Sequence, residues 1–78
     1  MRLEGTLTLA NAHEVWERVV NDAAGMTEID VSAVTKVDSA GLALITALRR
    51  KAGPQCTVVG FTADLKVLAD AYDVEALF

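Results

Sequence analysis

The sequence predicts an α/β domain, a small β-sheet packed against helices. Three observations point there: elements that alternate β-α-β-α-β-α, short runs with apolar residues at every second position, and longer runs between them at helical spacing. Helical crossovers return a chain in the same direction, so this order favours parallel pairing between the later strands within a small mixed sheet. The 78 residues make a single domain, 1–78, near the small end of what folds unaided.

The first element, Arg2–Leu9, sets Leu3, Gly5, Leu7 and Leu9 on one side and Arg2, Glu4, Thr6 and Thr8 on the other. That is the alternation of a half-buried strand. Asn11 occupies the N-cap position of a first helix, with Glu14 three residues on as in a capping box. Ala12, Val15, Trp16, Val19 and Ala23 follow at helical spacing, and Gly25 supplies the stop. A second strand is predicted over Thr27–Val31, followed by a connection, Ala33–Asp38, in which Val37 anchors to the core.

The second helix spans Ser39–Ala52, with a broad apolar face around Leu42, Ile45 and Leu48. Arg49, Arg50 and Lys51 in its last turn oppose the partial negative charge of a helix C-terminus. Gly53-Pro54 ends it, the proline forbidding continuation. Thr57–Val59 forms a third strand, and Thr62 caps a last helix carrying Leu65, Leu68, Ala69 and Tyr72. Val74, Leu77 and Phe78 extend the apolar pattern and predict a packed tail. The predicted core is Leu42, Ile45, Leu48, Val58, Leu65 and Leu68, with Trp16 covering one sheet face. Three strands also leave a bare sheet edge, which invites a homodimer or a docking partner.

Composition narrows the function. Apolar residues make up 53% and charged residues 23%, a globular profile. The net charge of −4 argues against nucleic acid, whose affinity is mostly cation-driven. A single cysteine, Cys56, cannot make an internal disulfide and fits a reducing, cytoplasmic setting as a small buried hydrophobe. The longest apolar run, Ala40–Leu48, is far too short to span a bilayer, and no signal segment is visible at the start. No phosphate-binding glycine loop is present. His13 and Cys56 have no companions at ligand spacing, so no metal, cofactor or catalytic residue is expected. His13 reads as a solvated residue of the first helical turn, and nothing in the sequence places it with Ser39 and an aspartate as a triad.

Val37-Asp38-Ser39-Ala40-Gly41-Leu42 stands apart, with a carboxylate, a hydroxyl and two small residues where a connection becomes a helix. Asp38 or Ser39 can cap the unpaired N–H groups there. Gly41 in a first turn lowers helix propensity by roughly 1 kcal/mol against alanine. That cost implies a close approach, by the sheet or by another protein. A hydroxyl at a helix N-terminus also suits phosphorylation, whereas a neighbouring Asp38 opposes it.

Ile29-Asp30-Val31-Ser32 followed by Val37-Asp38-Ser39-Ala40-Gly41-Leu42-Ala43-Leu44-Ile45 resembles the core of STAS domains. The family's D-S/T-x-G motif is complete as Asp38-Ser39-Ala40-Gly41. The similarity continues through Leu3-x-Gly5-x-Leu7 and Val58-Val59-Gly60. Two branches compete. The Leu42-Ala43-Leu44 run, Trp16 and the ending Leu68–Val74 resemble the Mla-type (MlaB) STAS subunits of ABC transporters that move phospholipids. That resemblance implies a non-catalytic domain on the transporter's cytoplasmic ATPase subunit, at the inner face of the inner membrane through that partner. The contact would be built from Asp38, Ser39, Ala40, Gly41, Thr46 and Arg49. The alternative resemblance is to anti-sigma-factor antagonists, and it implies phosphorylation of Ser39 by a serine kinase that is also the anti-sigma factor. Family members usually carry a further strand ahead of the one at Arg2–Leu9, and the chain begins too late for it.

Overall fold

Leu3 and Leu7 are buried while Arg2, Glu4 and Thr6 are exposed, so the predicted alternation builds the first strand, β1 (Arg2–Leu7). The computed structural model describes residues 1–71, apart from the side chains of Asp64 and Ala69. The predicted packed tail, with Val74, Leu77 and Phe78, lies outside the described residues, as does Tyr72. After β1 come α1 (Ala12–Ala23), β2 (Glu28–Val37), α2 (Ser39–Ala52), β3 (Thr57–Val59) and α3 (Ala63–Ala71). The sheet order is β1-β2-β3, and both pairings are parallel. The mixed pairing expected from the sequence does not occur among the described strands, because each is joined to the next through a helix.

The register explains the buried face. Ile29 pairs with Val58, both buried, and Glu28 pairs with Thr57, both exposed. α1 packs against α2, α2 lies across β1 and β2, and α3 meets α2 and β2. The packing of α1 on α2 sets both crossover helices on the same face of the sheet, as expected where successive parallel crossovers of one hand step in one direction. The opposite row, with Arg2, Glu4, Thr6 and Ser32, is polar and exposed.

Of the connection predicted over Ala33–Asp38, residues 33–37 are instead the second half of β2, and Asp38 caps α2. Two register shifts explain the misreading: between Arg2 and Glu4, and again between Gly5 and Thr6, β2 carries an extra residue. Each bulge slips the side-chain alternation by one position. The buried residues Ile29, Val31 and Val34 are therefore spaced by two and then three, a pattern that reads as a loop. The first strand is shorter than predicted. It ends at Leu7, and Leu9, expected on the buried side, is 80% exposed.

Asn11 holds the N-cap position of α1, but its side chain makes no capping bond. Its Oδ1 accepts from the Thr8 N–H at 2.9 Å and its Nδ2 donates to the Thr6 carbonyl at 2.7 Å. The expected capping box is replaced by a closed turn between β1 and α1. α2 has the predicted limits, and Gly53 closes it with φ of 111° and a bond from its N–H to the Arg49 carbonyl. Thr62 caps α3 as predicted, its hydroxyl accepting from the Leu65 N–H at 3.3 Å.

The core gathers Leu7, Ile29, Val31, Ile45, Leu48 and Leu65, each 2% exposed or less. Leu42 and Val58 join them as predicted, while Leu68 and Trp16 are only partly buried against the cluster. Cys56 is buried immediately before β3.

Candidate functional site

The start of α2 is built by one carboxylate. Asp38 stands in extended backbone at the N-cap, and its Oδ1 accepts from the Gly41 N–H at 3.0 Å. This settles which residue caps the helix: Asp38 does so. Its Oδ2 accepts from the Leu9 N–H, also at 3.0 Å. The Asp38 N–H in turn donates to the Leu7 carbonyl at 3.3 Å. The two ends of this junction are thus stitched by three bonds, two of them between segments about thirty residues apart in the chain. The Leu9 N–H, and after it that of Gly41, hold the Asp38 carboxyl below its ordinary pKa. Donors aimed at a carboxylate favour its charged form. Among the described residues Asp38 makes no salt bridge.

Gly41 is buried, and its role is steric. A Cβ there would collide with the Leu7 carbonyl oxygen and lie 2.8 Å from Val37 Cγ2. The close approach implied by the propensity cost is therefore made by the end of β1. Gly41 lets α2 sit flush on the sheet and supports the surface from beneath.

Ser39 is exposed in the first turn of α2, and Ala40 is partly so. Thr46 is half-buried and donates its hydroxyl to the Leu42 carbonyl of its own helix at 3.0 Å. Arg49 is half-buried near the far end, with its Nε enclosed and lacking a hydrogen-bond partner. Arg50 is exposed and stands eleven residues from Ser39, about three full turns, so it shares the Ser39 stripe with exposed Ala43. The sequence reading placed Arg49 in the interface and Arg50 in solvent.

Leu9 was also missed as a surface residue. It belongs to the turn that Asn11 closes, and its N–H is held by Asp38, so it faces solvent beside the start of α2. No local signal marks it, because the alternation of β1 continued one step too far assigns it inward.

Other chemistry is dispersed. His13 Nε2 lies 3.5 Å from Glu17 on the exposed side of α1, a surface pair of little energetic weight. Asp30 belongs to β2, where the Ser32 N–H and then the Ser32 side chain hold its carboxyl below the ordinary value. No cluster of metal-ligating side chains occurs among the described residues, and no described helix is long and apolar enough to cross a membrane.

Fold and site together define a small α/β domain whose second helix opens on an aspartate cap and presents a serine. The chain belongs to the STAS domain family: the family model described as "Mlab, STAS domain" matches residues 1–77. STAS domains are in general non-enzymatic binding and regulatory modules. No curated protein matches the chain.

Proposed function

We propose that this domain is a non-catalytic STAS subunit that binds the cytoplasmic ATPase of an Mla-type phospholipid-transport ABC transporter and supports its assembly or activity. The observation that carries the reading is the family match over residues 1–77, which is to the Mlab type of STAS domain. The geometry of α2 adds to it. Asp38 and Gly41 fix the helix start to β1, so Ser39 and Ala40 are offered on a rigid ledge. Rigid ledges lose little conformational entropy on docking. Thr46 and Arg49 extend the same helix toward its C-terminus, and in this reading the partner lies along it. The domain reaches the inner face of the inner membrane through that partner and contributes no catalytic group or cofactor.

A second reading, an anti-sigma-factor antagonist, draws support from the exposure of Ser39. A kinase needs an accessible hydroxyl, and the positive end of α2 favours an added phosphate. The ionised Asp38 next to it works against that phosphate.

Affinity capture from the source cell with tagged wild-type and Ser39→Glu protein separates the two. The transporter reading expects an ABC-type ATPase with its membrane permease on wild type and a loss of both on Ser39→Glu. A serine kinase that binds a sigma factor, with no ATPase, would overturn it.

A further inference from the structure

Leu9 is the most exposed large apolar residue of the described chain, at 80%, ahead of Val67 at 66%. A lone exposed leucine is ordinary on a protein surface. This one differs in how it is held. Its turn is closed on one side by Asn11, which bonds the Thr8 N–H and the Thr6 carbonyl, and by the Asn11 N–H donating to the Thr8 carbonyl at 3.0 Å. On the other side its own N–H is bound by Asp38, the residue that caps α2. The backbone of Leu9 is therefore fixed by hydrogen bonds of the fold, with its side chain exposed next to the helix start that bears Ser39.

We infer that Leu9 is the apolar anchor of the α2 docking surface, and that its occupant is a protein presenting an apolar pocket edged by a Lys or Arg. The inference rests on the proposed ATPase-binding role and names the chemistry of that contact. The cation follows from charge. Across residues 7–12 and 38–44 the one formal charge is Asp38, which is held ionised and makes no salt bridge among the described residues. A partner cation meets that carboxylate, whereas an anionic lipid surface is repelled by it and by a net charge of −4. Interface hot spots fill well-packed, desolvated pockets, and a side chain on a backbone already fixed by the fold loses less freedom on entering one.

The test uses the purified ATPase subunit of the source cell's phospholipid transporter as the probe, with the affinity of Leu9→Ser, Leu9→Met, Val67→Ser and Ser39→Glu measured by calorimetry. Leu9→Ser is expected to weaken binding by roughly tenfold or more, Leu9→Met to restore most of it, and Val67→Ser to leave it unchanged, all with unaltered thermal midpoints. Loss on Ser39→Glu with none on Leu9→Ser would overturn the anchor and leave the proposed function standing. A wild-type domain that does not bind the ATPase would overturn both. Capture of wild type by anionic phospholipid vesicles, lost on Leu9→Ser, would overturn the protein pocket as occupant.

Discussion

Asp38 Oδ2 accepts a hydrogen bond from the backbone N–H of Leu9, twenty-nine residues earlier, at 3.0 Å. Its other oxygen caps α2 at Gly41. One side chain therefore ties the helix start to the turn that flanks it.

Acid is the direct probe of this clamp. The folded-state pKa of Asp38 is lowered by the Leu9 and Gly41 N–H groups, so the stability it contributes is present above the unfolded value, about 3.9. That contribution is lost as pH falls from there through the lower folded value, because the unfolded chain binds the proton first. Thermal melts of Asp38→Asn should show a shallower loss below about pH 4 than wild type. At neutral pH Asp38→Ala should melt lower than Asp38→Asn, which keeps a capping carbonyl.

Gly41→Ala tests the contact between α2 and β1. Helix propensity alone predicts a gain of roughly 1 kcal/mol. The collision with the Leu7 carbonyl predicts an overpacking cost of about 1–3 kcal/mol, and the cost should win because backbone cannot rotate out of the way. Urea denaturation should give a lower midpoint for the alanine variant with the slope unchanged.

Ser39→Ala should leave stability within about 0.5 kcal/mol of wild type, since Asp38 and not Ser39 supplies the cap. Urea melts of the two proteins should superimpose. Ser39→Glu should also fold, its carboxylate meeting the positive helix end, and should show its effect in partner binding.

The apolar periodicity of residues 39–52 and 57–59 made α2 and β3 legible at their observed limits, because capping and stop residues agree there with the apolar pattern. The buried role of Ile45, Leu48 and Leu65 followed from the same spacing. Elsewhere tertiary structure overrode the local pattern. Val34 was unreadable as a strand residue because a bulge shifts its phase against Val31. Asn11 has the right type and position for a cap, yet the Thr6–Thr8 backbone competes successfully for its amide. At the site, the Asp38-Ser39-Ala40-Gly41 motif was visible, and Gly41 announced a close contact. The partner in that contact and the bond from Leu9 to Asp38 were not visible, because both join segments distant in the chain.

The most direct measurement is an amide NMR titration of the domain with the transporter's ATPase subunit. The account predicts that shift changes and line broadening concentrate at Leu9, Ser39, Ala40 and Ala43, and spread along α2 toward Thr46 and Arg49. Perturbations confined to the exposed row of Arg2, Glu4 and Ser32, with the start of α2 unmoved, would contradict it.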